Sequence, residues 1–99
     1  MTMTFADFQA SLAAAAPPAE LDSALGALWH AAKGDWNRAH ELAQSREDET
    51  GAWVHAYLHR IEGDESNAGY WYRRAGLKHS RAALQDEWRE IAEALLKRR

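Results

Sequence analysis

Apolar residues recur at helical spacing along most of the chain, and no stretch alternates with the period of two that a half-buried strand needs. Phe5, Phe8 and Leu12 form the first stripe. Thr4 with Asp7 three residues on opens it in capping-box style, which predicts a short helix from Phe5 to about Ala15, ended by Pro17. Pro18 suits the first turn of a second helix, in which Leu21, Leu25, Leu28 and Ala32 recur as far as Lys33. Gly34 then offers a left-handed stop and Asp35 an N-cap for a third helix through about Gln44, with Trp36, Ala39, Leu42 and Ala43 inward. The polar run from Ser45 to Thr50 reads as a loop. A fourth helix, from about Gly51 to Glu62, carries a wide stripe of Trp53, Val54, Tyr57, Leu58 and Ile61, which requires neighbours on more than one side. Gly63 and Asp64 repeat the stop and start, and a fifth helix follows to about Ala75 with Ala68, Trp71, Tyr72 and Ala75 on one side. Gly76 closes it. The sixth helix, from about Ser80 to Lys97, has Leu84, Trp88, Ile91 and Leu95 in register, acids at positions 86, 87, 90 and 93, and bases at 97 to 99 that favour the C-terminal dipole.

One block in this pattern occurs twice. LWHAAKGDWNRAH at 28–40 and YLHRIEGDESNAG at 57–69 align at a constant offset of 29 residues, so that His30 pairs with His59, Gly34 with Gly63, Asp35 with Asp64 and Ala39 with Ala68. A helical hairpin needs a residue that takes positive φ cheaply, a cap for the amides that follow, and a small side chain where the helices approach. Gly, Asp and Ala meet those needs. The histidine is left without an assignment from turn chemistry.

Gly34-Asp35-Trp36-x-x-Ala39 and Gly63-Asp64-x-x-x-Ala68-x-x-x-Tyr72-x-x-Ala75 resemble the turn and second helix of tetratricopeptide repeats, and the segment Asp64 to Gly76 is also similar to the end of Sel1-like repeats. The resemblance spans roughly residues 21–76. The period of 29 is shorter than the family's 34 or so. Ala27 and Ala56 stand where the family usually has Gly, and there are two copies rather than three. The fold expected is all-α: one domain over residues 1–99, about six antiparallel helices, a tetratricopeptide-like right-handed helical-hairpin array with hairpins at about 21–45 and 51–76. The first helix and the helix at about 80–97 would cap its ends. What the resemblance implies is a non-catalytic scaffold that binds a protein or peptide in a concave groove.

Composition narrows the chemistry. In a chain of 99 residues the five tryptophans supply the large buried areas a small core needs. The absence of Cys excludes disulfides, thiolate metal sites and thiol catalysis. The N-terminal stretch carries Asp7 and lacks a basic n-region, and no apolar run is long enough to span a bilayer, so a cytoplasmic protein without a membrane partner is expected. The net charge of −3 divides unevenly: residues 1–72 hold four Lys/Arg against eleven Asp/Glu, and residues 73–99 hold eight against four. An acidic body repels phosphates, which argues against nucleic acid; polar contacts between chain ends, or head-to-tail association between molecules, suit the asymmetry better, and a homodimer through the first or sixth helix is a separate possibility.

Three clusters carry candidate chemistry. Stacked hairpins would put His30 and His59 on the same side of neighbouring helices, giving a groove with Trp29 and Tyr70, and with Arg73 and Arg74 at its rim, suited to an acidic peptide or a phosphate-bearing ligand. A structural hydrogen bond from each imidazole is the competing use of the same pair. Alternatively His55, His59 and Glu62, at i, i+4 and i+7 on one helix face, have the spacing to chelate Zn²⁺ or Ni²⁺. The segment HAYLH lacks the Glu that a zinc protease needs after its first His. No serine sits in a nucleophile elbow and no glycine-rich phosphate loop occurs, so no enzyme activity and no cofactor are expected.

Overall fold

The computed structural model describes residues 3–98; Arg99, the last base expected at the C-terminal dipole, lies outside them. The described residues form six α-helices and no strand. The first, α1 (Phe5–Ala10), opens on the expected box: Thr4 Oγ1 accepts from Asp7 N–H at 3.0 Å, and the Asp7 carboxylate accepts from Thr4 N–H at 3.1 Å. It stops earlier than expected and tightens into a 3₁₀ turn over Ser11–Ala13, where the Ser11 hydroxyl bonds back to the Phe8 carbonyl at 2.6 Å.

The helix α2 (Ser23–Ala32) begins at Asp22 rather than Pro18, because the Asp22 carboxylate accepts from Leu25 N–H at 2.9 Å and so satisfies a first-turn amide that Pro18 has no group to reach. The hairpin α2–α3 (α3, Trp36–Gln44) and the hairpin of α4 (Glu49–Ile61) and α5 (Glu65–Ala75) then turn in the same way. Gly34 and Gly63 take φ of 85° and 83°. Asp35 N–H bonds the His30 carbonyl and Asp64 N–H bonds the His59 carbonyl, each at 2.9 Å, the long bond of a Schellman ending. Asp35 and Asp64 also cap the following helices through Arg38 N–H and Asn67 N–H, both at 3.1 Å.

The loop expected before α4 is shorter than its polar sequence suggests. Asp48 caps the helix by accepting from Gly51 N–H at 2.8 Å, and its carboxylate also binds Arg46, which reaches on to Asp22. The chain turns back so tightly here that a β-carbon on Gly51 would lie 2.0 Å from the Arg46 carbonyl oxygen. The last helix, α6 (Leu84–Lys97), starts four residues later than expected, after a connection over 77–83 that Arg60 holds through the Ala82 carbonyl at 2.6 Å.

The centre of the molecule is α4, in contact with α2, α3, α5 and α6; every residue from Gly51 to His59 is buried. This is the origin of its wide apolar stripe. One side of the α2/α4 layer is covered by α6, and α1 packs on α6 in turn: Phe8 stacks on Trp88 with ring centroids 5.5 Å apart, and Trp88 Nε1–H donates to the Leu28 carbonyl at 2.8 Å. Burying such a ring stabilises by roughly 1.5–3 kcal/mol. Glu87, in the first turn of α6 among acids that read as solvent-facing, is instead 1% exposed. Its carboxylate accepts from Arg60 Nη1 at 2.7 Å, from Trp53 Nε1 at 3.2 Å and from the Tyr72 hydroxyl, so it ties α4 and α5 to α6. Among the described residues no helix is long and apolar enough to cross a membrane.

Candidate functional site: a histidine cluster between α3, α4 and α5

Two of the three histidines come from α4. His55 and His59, one turn apart, face the side that α3 and α5 flank, and their rings stack with centroids 4.9 Å apart. The third, His40, comes across from α3 and brings its Nε2 within 2.9 Å of His55 Nε2. One nitrogen of each of His40, His55 and His59 lies within 4.8 Å of those of the other two.

Two tryptophans wall the cluster. Trp36 stacks on His40 at 4.8 Å and is pinned by its indole N–H, which donates to the Leu58 carbonyl at 2.7 Å. Trp71 of α5 lies flat on His55 with centroids 3.8 Å apart and planes 11° from parallel. Glu62, which ends α4, holds His59 from outside through a 2.6 Å contact between its carboxylate and His59 Nδ1. Facing the Glu62 carboxylate, His59 Nδ1 is the donor of this contact and its Nε2 is turned to the other edge of the ring.

Burial, reinforced by the neighbouring imidazoles His40 and His59, pushes His55 down to about 4. Burial also lowers His40, with repulsion from His59 adding to it and attraction to Glu62 opposing it. Both rings are therefore neutral at neutral pH, and the His40–His55 contact is a hydrogen bond in which one Nε2–H donates to the other's lone pair. Neutral imidazoles converging from two helices offer nitrogen lone pairs to a borderline metal, or hydrogen bonds to a polar ligand.

His55 and Trp71 also line an open cleft of about 600 Å³, together with Gln44, Arg46, Glu47, Glu49 and Arg74. Arg74 lies over the Trp71 ring, 5.3 Å from its centroid, and donates to the Tyr70 hydroxyl at 3.1 Å.

The residues expected from sequence divide among these places. His59 enters the cluster. His30, its repeat partner, does not: it packs edge-on against Trp29 at 5.1 Å and lines a separate recess with Pro17, Arg38 and Leu42. Trp29 is 2% exposed, its indole N–H donating to Ser11 Oγ at 3.2 Å, so it is a core residue rather than a groove wall. Arg74 lines the cleft and bonds the hydroxyl of Tyr70, which is 43% exposed and lines a separate shallow recess with Arg73, Asp64 and Asn67. Of the three candidate ligands on the fourth helix, His55 and His59 converge, but the third nitrogen is that of His40, and Glu62 supports His59 from behind. His40 escaped the sequence reading because it lies on a different helix. Its one signal was Trp36-x3-His40, an aromatic and an imidazole one turn apart beside the hairpin turn.

Comparison with protein-family models, with curated proteins and with solved structures finds no match, so the chemistry of this face rests on its own geometry.

Proposed function

We propose that the chain is a non-catalytic protein- or peptide-binding module of tetratricopeptide-like helical hairpins, and that its partner seats on the α3–α4–α5 face. The observation that carries this reading is the contrast between the two sides of α4. Its α2/α6 side is filled by the chain's own Trp88 and Phe8, whereas the opposite side is an open cleft walled by Trp71 and Arg74. The matching glycine and Asp-cap geometry of the two hairpins supports the repeat reading.

Aromatic and arginine side chains are common anchors of binding surfaces, and the half-buried Trp71 with exposed Tyr70, Arg73 and Arg74 supply such side chains here. Neither arginine has a carboxylate partner among the described residues. An acidic residue of the partner would meet Arg74, and Glu47 and Glu49, which also line the cleft, would favour a basic one. Selection from a displayed peptide library in the presence of a chelator tests this. Wild type should enrich peptides with a carboxylate at one end, and Tyr70→Ala combined with Arg74→Ala should weaken them at least about tenfold, a loss of about 1.4 kcal/mol. Equal enrichment on both proteins removes the reading.

A further inference from the structure

We infer that His40, His55 and His59 form a binding site for a divalent first-row transition ion, with Zn²⁺ as the simplest occupant. Three imidazole nitrogens, from two helices and packed between two tryptophans, converge within 4.8 Å of one another. Three protein ligands with a fourth position left to water or to a group in the cleft is the arrangement of an open zinc site, and imidazole suits Zn²⁺, Ni²⁺ and Cu²⁺ rather than Mg²⁺ or Ca²⁺.

Without an ion the His40–His55 contact is a hydrogen bond, and a bound ion has to replace its shared proton. In a tetrahedral site with Zn–N bonds of about 2.0 Å, two ligand nitrogens stand about 3.3 Å apart. The Nε2 atoms of His40 and His55 are 2.9 Å apart, so the rings need part by only about 0.4 Å for the ion to replace the shared proton. That proton moves to Nδ1 of the ring that carried it, and no net charge is lost from the protein. His40, half-buried at the edge of the cluster, is the least enclosed of the three rings. Glu62 is a positioning residue: its contact with His59 Nδ1 is the carboxylate–imidazole pair that orients metal-binding histidines.

The inference goes beyond the peptide-binding reading and stands apart from it, since the ion alone is the probe. Titration of the full chain with Zn²⁺, followed by calorimetry and by tryptophan emission from Trp36 and Trp71, should give one ion per chain. Co²⁺ should give the intense visible absorption of a tetrahedral nitrogen site. His40→Gln should weaken Zn²⁺ at least about a hundredfold. Glu62→Gln should weaken it about tenfold to a hundredfold and shift the Co²⁺ spectrum. His79→Gln, remote on the 77–83 connection, should change nothing. His55→Ala removes a buried ring stacked on Trp71 and risks the fold, so His40→Gln, checked for retained helicity, carries the decision. No saturable Zn²⁺ binding below about millimolar, or equal affinity in wild type and His40→Gln, overturns the site.

Discussion

At the scale of single residues, His55 shows how position rather than type sets behaviour. The same imidazole that would titrate near 6.5 in an unfolded chain is held down to about 4 by burial and by its neighbours His40 and His59. The folded state therefore favours neutral His55, and between pH 6.5 and about 4 the unfolded chain binds the extra proton. Stability is full above pH 6.5 and is lost progressively as the pH falls towards 4. For metal-free protein, denaturant melts at pH 7.5 and pH 5 should differ by roughly 2 kcal/mol from this group, with His40 adding in the same direction. His55→Gln, though less stable at pH 7.5, should show a clearly flatter slope; an unchanged slope would assign the acid sensitivity elsewhere. The sequence shows His55 and His59 as an i, i+4 pair. It could not show that His40 joins them, since that contact is made between helices.

At the scale of elements, the repeated block was legible where it is local and silent where it is not. Gly34 and Gly63 share positive φ, the Asp caps share their bonds, and the His carbonyls share the Schellman acceptor role. That role uses the backbone, so the recurrence of the imidazole has no common structural use. In the second copy Glu62 holds His59, whereas its counterpart Lys33 donates to the Leu12 and Ala14 carbonyls and lies over Trp29. At the same offset Gly26 stands opposite His55, Leu42 opposite Trp71 and Gly69 opposite His40, so the cluster belongs to one copy only. The glycines make this testable. A β-carbon at Gly34 or Gly63 meets nothing within 4 Å, so alanine there should cost only the left-handed strain, about 1–2 kcal/mol and equally in both hairpins. At Gly26, inside α2 and 3.4 Å from Leu42, alanine should stabilise by about 0.5–1 kcal/mol through helix propensity. At Gly51 it should cost roughly 3 kcal/mol, because the Arg46 carbonyl must move. Thermal melts of the four variants rank them, and unequal losses at Gly34 and Gly63 would contradict the equivalence of the turns.

At the scale of the whole molecule, what joins the hairpins to α6 is apolar packing with one ionic centre inside it. Helix six was legible from its Leu84, Trp88, Ile91 and Leu95 stripe, but Glu87 was not: a carboxylate one residue before a core tryptophan looks like any solvent-facing acid until Arg60, Trp53 and Tyr72 are seen around it. The Tyr72 hydroxyl is held far above its ordinary range by burial and by Glu87, and so serves as a proton donor throughout the working pH range. Because the pair is buried, removing one partner costs more than removing both. Glu87→Ala strands Arg60, whose side chain is 11% exposed and whose Nε already lacks a partner, and should destabilise by roughly 3–5 kcal/mol. Replacing the pair together, Arg60→Met with Glu87→Leu, should recover most of that loss, since the desolvation of two charges is relieved and the volume stays filled. Tyr72 and Trp53 then lose their acceptor, which keeps the recovery incomplete by roughly 1–3 kcal/mol. The double-mutant cycle is read by urea denaturation, with hydrogen exchange on α6 reporting whether the loss is confined to its docking. A double variant as unstable as Glu87→Ala alone would mean that the centre holds α6 through the hydrogen bonds to Tyr72 and Trp53 rather than through the ion pair.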